Sequence, residues 1–219
     1  MKLSQKEIKY GIIYMAISLL VLPSILGLLP LRAGQANFAG FCINFAAVAV
    51  IFRRFLLGEL AIALNRPFPT IYYAILGYLG YEALTQLVTA VILILYPDFA
   101  NINDQSLNIM FRQDLKIMTI GVVLLVPMAE ECLFRGLIFR GMFDSHPKLA
   151  YPVSMAAFAL IHVAGYVGTC NPLQLLLCFV QYLPAGYCLC FAYRRSGTLL
   201  SPIIVHTIVN ALGVYNAVR

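Results

Sequence analysis

The chain is predicted to be all-α, a polytopic bundle of transmembrane helices with about seven spans. Three observations predict this. Of its 219 residues 62% are hydrophobic and only 11% charged, with a mean hydropathy of +0.87, whereas a water-facing domain carries about 25% charged residues. Apolar stretches of the roughly 20 residues that a membrane helix needs recur along the whole chain. The lysines and arginines lie almost entirely between those stretches instead of forming a patch. Together these features exclude a disordered chain, a typical cytosolic enzyme and a nucleic-acid-binding domain. The net charge of +6 and the pI near 9.1 read as topology markers, so no nucleic-acid partner is expected.

Spans are placed at roughly 10–30, 37–57, 71–96, 117–139, 150–168, 172–193 and 198–217. The first follows Lys2, Lys6 and Lys9; it is longer than a secretory h-region and lacks a clean cleavage site, so it reads as an uncleaved span. The second is interrupted by Arg53 and Arg54, which suggests a short span followed by an interfacial helix through Leu64, with both arginines reaching the headgroups. Six or eight spans are the alternative counts. Pro67, Pro69, Pro97, Pro147 and Pro172 punctuate the series, and Pro97–Lys116 is the largest polar insert. No repeat or second domain stands out. Residues 1–219 read as a single membrane domain, with 1–96 supported by hydropathy alone and 117–212 carrying the motifs described below.

Charge orients the bundle. With a cytoplasmic N-terminus, that side receives Lys2, Lys6, Lys9, Arg53, Arg54, Arg66, Arg140, Lys148, Arg194 and Arg195. The other side receives Arg32, Arg112, Lys116 and Arg219. This is a positive-inside bias, and it predicts a multi-pass plasma-membrane protein. The six cysteines form no C-x-x-C and mostly fall in or beside apolar runs, where cysteine acts as a small hydrophobe. Neither disulfides nor a metal are expected of them.

Intramembrane charge is expensive and marks candidate functional sites. Glu130, Glu131 and Arg135 fall in the fourth span, His162 in the fifth, and His206 with Asn210 in the seventh. Glu131 and Arg135 are four apart and can pair. Glu130 points about 100° away and is left free to act as a general base. His206 and Asn210 share a helix face, as do Phe158 and His162. Pro127 should loosen the helix just before the glutamates. Counted from the cytoplasmic ends at 1.5 Å per residue, Glu130, His162, His206 and Asn210 all lie roughly 12–18 Å deep. A carboxylate and an imidazole can deprotonate a water, while an imidazole N–H and an amide can donate to an oxyanion. That chemistry needs no nucleophilic Ser154, Ser201 or Cys132. A lone histidine or asparagine in such a helix is more often packing or interhelical glue, and Glu82 is given no role. Paired glutamates with an arginine one turn on are harder to dismiss.

These residues resemble a known set. Glu130-Glu131-x-x-x-Arg135, Phe158-x-x-x-His162 and His206-x-x-x-Asn210 look like the three-part signature of the CAAX endopeptidase family, including its bacterial CPBP or Abi branch. The flanks Phe134-Arg135-Gly136 and Arg195-Ser196-Gly197-Thr198-Leu199 match as well. The resemblance implies a four-helix catalytic core around a cavity open to the cytosol. It implies that Glu130 and His162 activate water, that His206 and Asn210 form the oxyanion hole, and that Glu131, Arg135 and Phe158 support them, with no cofactor. A peptide or lipid-modified protein would be the substrate, within membrane lipid. Eukaryotic members trim prenylated proteins, and many bacterial members act in bacteriocin self-immunity or peptide maturation. The competing readings are a non-catalytic peptide-binding immunity protein, a zinc peptidase and a proton-coupled transporter. The transporter is disfavoured by the lack of internal repeats and paired broken helices, and zinc by the lack of H-E-x-x-H.

Overall fold

The computed structural model describes residues 2–219, and every regular element among them is helical. Among the described residues, seven helical stretches are long and apolar enough to cross a membrane: Gln5–Gly27, Ala33–Ile51, Pro67–Leu95, Ile102–Phe143, Pro147–Tyr166, Pro172–Ser196 and Leu200–Ala217. The count agrees with the sequence expectation. Large apolar side chains point outward along them, Leu20 at 76% exposure and Ile94 at 79%, as a lipid-facing surface requires.

The N-terminal elements are set by local capping. Helix α1 (Gln5–Leu20) opens on a capping box in which Ser4 N donates to Glu7 Oε2 (2.7 Å) and Glu7 N to Ser4 Oγ (3.2 Å). Pro23 then starts the short α2 (Leu22–Gly27). Helix α3 (Ala33–Ile51) ends at Phe52, and α4 (Arg53–Asn65) begins with both arginines exposed. This is the break that Arg53 and Arg54 suggested. Glu7 also accepts a 3.0 Å hydrogen bond from Phe55 N. It thereby places a carboxylate on the free N–H groups at the start of α4.

Helix α5 (Pro67–Leu95) packs along α10 (Pro172–Ser196), which also packs against α9 (Pro147–Val163). The α9–α10 approach is close because Gly186 has no side chain: a Cβ there would lie 2.8 Å from Met155 Cα. Gly197, at φ 77°, ends α10 in the left-handed conformation that glycine adopts without steric penalty. The chain then enters α11 (Leu200–Ala217) under the control of α4. Leu199 N donates to Glu59 Oε2 (2.8 Å), and Thr198 Oγ1 donates to Glu59 O (2.9 Å), all buried.

The fourth span is not a simple rod. Its 42 residues would extend about 60 Å as a straight helix, twice the hydrocarbon thickness. Helix α6 (Ile102–Ile120) is broken at Asp114 (φ −138°, ψ 44°), where Arg32 pairs with the Asp114 carboxylate. The stretch Gly121–Leu125 is π-helical, α7 (Val126–Glu131) follows, and Cys132–Arg140 is π-helical again before α8 (Gly141–Phe143). The polar insert Pro97–Lys116 is therefore mostly helix, capped by Asn101, whose side chain accepts from Asn103 N (2.9 Å) and Asp104 N (3.3 Å).

The end of the bundle that carries the N-terminus is closed. Val48, Phe52, Phe55, Leu133, Phe139 and Leu199 form a buried cluster there. Its rim is basic: Lys2 and Arg140 hold the Asp144 carboxyl below its ordinary range. Replacing Glu59 by alanine should leave the start of α11 uncapped, at about 1–3 kcal/mol. A fall of several degrees in the unfolding midpoint in detergent is the expected reading, and an unchanged midpoint would show that Glu59 does not hold α11.

Candidate active site

Glu130 and Glu131 sit on α7, directly between the two π-helical stretches. Widened turns of this kind are frequent at functional sites, and here the cause is visible. In the π-helical register Val126 N–H bonds to Gly121 O, so the next donor in series would serve Val122 O. That donor would belong to Pro127, which has no N–H. The side chain of Asn210 takes its place, with Nδ2 donating to Val122 O at 2.8 Å. Pro127 thus frees a carbonyl that docks α11 against the glutamate-bearing helix.

Glu131 is completely buried, and its Oε1 accepts two hydrogen bonds, from Arg135 Nη1 (3.0 Å) and from His206 Nδ1 (2.9 Å). Arg135, also fully buried, donates from Nη2 to Gly186 O (3.2 Å) and lies 4.4 Å above the Phe158 ring. The i, i+4 pairing of Glu131 and Arg135 therefore forms and extends to α9, α10 and α11. Phe158 is its apolar floor, with its ring centroid 4.7 Å from that of His162 and 5.8 Å from that of His206.

The partners fix both histidine tautomers. Glu131 accepts from His206 Nδ1, so Nδ1 carries hydrogen and Nε2 faces the other way, 4.0 Å from Glu130 Oε2. That separation is too long for a direct hydrogen bond and short enough for one water to bridge. His162 Nδ1 lies 2.8 Å from Phe158 O. A carbonyl only accepts, so His162 Nδ1 also carries hydrogen, and Nε2 of the neutral ring is a bare acceptor. Glu130, unlike Glu131, keeps 20% of its side chain exposed.

Glu130, His162, His206 and Asn210 open together on a cavity of about 600 Å³. Glu131, Arg135 and Phe158 lie behind them. The opposite wall was not foreseen. It is built by α6 and α10, where Asn103 Nδ2 donates to Tyr182 OH (3.0 Å) and Tyr182 OH to Asp104 Oδ1 (3.3 Å). The Tyr182 ring stacks on His162, centroids 4.2 Å apart and planes at 28°. Tyr166 OH also reaches Asn103 Oδ1 (3.4 Å). The sequence signal was present: residues 103, 104, 107, 108 and 111 share one helical face, and all line the cavity.

The remaining candidates lie elsewhere. Ser154 donates to Phe134 O (2.9 Å) and Ser201 to Thr70 O (2.6 Å), both buried. Cys132 is fully buried in the core at the closed end. Glu82 accepts from Gln86 Nε2 (3.0 Å), one turn on along α5. Among the described residues, no three His, Cys, Asp or Glu side chains are arranged to hold a metal ion.

Comparison with known proteins bears on the same half of the chain. Residues 112–212 match the family model described as type II CAAX prenyl endopeptidase Rce1-like. The UPF0177 protein YaiH of Lactococcus lactis subsp. lactis is 32% identical over 96 residues, 44% of this chain and 36% of that protein. A UPF0177 protein from the abiGi 5' region of Lactococcus lactis subsp. cremoris gives the same identity and coverage. YxdF of Lactococcus lactis subsp. lactis is 30% identical over 90 residues, 41% of this chain and 44% of that protein. The chain thus spans well under half the length of the curated relatives it matches. No solved structure matches it. By sequence match, the segment that carries Glu130, His162, His206 and Asn210 is similar to the Rce1-like CAAX endopeptidases.

Proposed function

We propose that the cavity is the active site of an intramembrane endopeptidase, which hydrolyses a peptide bond in a membrane-associated peptide or protein without a metal. The observation that supports this most is the shared opening of Glu130, His162, His206 and Asn210, drawn from three spans, on one cavity. Buried charge unrelated to function has no reason to converge in this way.

The chemistry follows from the tautomers. A water held by Glu130 and the bare Nε2 of His162 gives up a proton as its oxygen attacks the substrate carbonyl carbon. The carbonyl oxygen becomes an oxyanion facing His206 Nε2 and the second Nδ2 hydrogen of Asn210, the first being bonded to Val122 O. His206 donates from Nε2 when its ring is doubly protonated, and the buried Glu131 carboxylate at Nδ1 supports that charge. Collapse of the intermediate breaks the C–N bond, and the proton taken from water passes to the leaving amine. The charge bias across the spans supports a cytoplasmic N-terminus, and a plasma-membrane location goes with this reading.

In a reconstituted peptide-cleavage assay, Glu130→Gln should lower kcat about 10²–10⁴-fold, and Asn210→Ala about 10²–10³-fold. Wild-type cleavage by Glu130→Gln would overturn the water-activating role. Activity should persist in strong chelator, and loss that zinc restores would replace this mechanism by a metal-dependent one. Peptide binding by the wild-type chain without any turnover would favour an immunity protein that sequesters its ligand.

A further inference from the structure

The cavity is not symmetric across the membrane. Starting from Glu130 and from His162, which lies in the last turn of α9, its lining runs toward one side only. It includes Asn37 near the start of α3, Asn103 and Asn108 on α6, Tyr166 just beyond α9, and Asn216 near the end of α11. All of these lie at helix ends opposite the one that carries the N-terminus. Asn37, Asp104, Asn108 and Asn216 are exposed and form the rim. The other end is filled by the Phe52, Phe55, Phe139 and Leu199 cluster and by the Glu59 cap on α11, which leaves no comparable path from that side.

The closed end is also the basic end. Ten of the fifteen cations lie there, which makes it the cytoplasmic face. The open end therefore faces away from the cytoplasm, opposite to what the family resemblance implies. The lining itself holds no lysine or arginine, and its acidic groups are Asp104 and Glu130. A substrate carboxylate would meet no lysine or arginine in the lining, whereas a neutral or basic segment meets amides and carboxylates.

We propose that the site takes its substrate from the extracytoplasmic face, as a neutral or basic peptide segment cleaved at an internal bond. This rests on the endopeptidase reading above and deepens it by naming the direction of entry and the charge of the substrate. Helix α6 is the selective wall: one face carries Asn103, Asp104 and Asn108 toward the cavity, and Asp114, paired with Arg32, ends that wall at the open side.

The test uses two single-cysteine additions to the full chain, Asn108→Cys at the rim and Ser145→Cys at the closed end, both at exposed positions. The unmodified chain gives the background from its own cysteines. In intact cells a membrane-impermeant maleimide should label Asn108→Cys, with Ser145→Cys labelled only after permeabilisation; the reverse would overturn the extracytoplasmic assignment. In sealed proteoliposomes holding both orientations, a bulky impermeant maleimide added outside should abolish cleavage of an external lysine-bearing peptide by Asn108→Cys. The same treatment of Ser145→Cys should leave cleavage unchanged. Loss through Ser145→Cys alone would place entry at the closed end. A glutamate-bearing peptide of otherwise equal sequence should be cleaved more slowly, and equal or faster cleavage would overturn the charge preference. Labelling reads the orientation without turnover, so absence of cleavage everywhere would fail the endopeptidase reading while the cell labelling still decides which face is open.

Discussion

The site depends on one buried carboxylate. Glu131 Oε1 accepts from Arg135 on its own helix and from His206 on α11, and through Arg135 it is tied to the Gly186 carbonyl on α10 and the Phe158 ring on α9. Four helices meet at two side chains. Burying such a pair adds little net stability, because desolvation opposes the attraction, but removing one partner typically costs about 3–5 kcal/mol. Its value is positional. It holds His206 with Nε2 toward Glu130, and it keeps the neighbouring glutamate as the one that faces the cavity.

The division of labour between the two glutamates follows from local helix geometry. Adjacent residues point in different directions, so one carboxylate enters the ion pair while the other remains at the cavity wall. Pro127 adds a second link, since the carbonyl it leaves without a donor is the one Asn210 takes up. The contact that docks α11 thus also positions an amide on the cavity that Glu130 and His206 line. The two π-helical stretches around α7 are the backbone form of the same adjustment.

Much of this was legible in the sequence. Seven spans and the break at Arg53-Arg54 follow from composition and charge, since lipid exposure leaves few ways to satisfy the backbone. The Glu131–Arg135 pair follows from i, i+4 spacing. What escaped was tertiary in origin. Glu7 and Glu59 sit in segments read by hydropathy alone, and their work is to cap helices 48 and 140 positions away in sequence, which no local pattern encodes. The insert Pro97–Lys116 read as polar connection because its amphipathic face looks toward a cavity whose far wall lies on other helices. Tyr182 gave no signal: a tyrosine in an apolar run is unremarkable until His162 stacks on it.

The protein fixes both His162 and His206 with hydrogen on Nδ1 and turns their Nε2 atoms toward the cavity. Solid-state ¹⁵N NMR of histidine-labelled protein in bilayers, at alkaline pH where neutral rings dominate, reads this directly. With three histidines in the chain, His162→Gln and His206→Gln assign the signals. Protonated Nδ1 and unprotonated Nε2 are expected for both His162 and His206. A signal for either ring with hydrogen on Nε2 and a bare Nδ1 would contradict this.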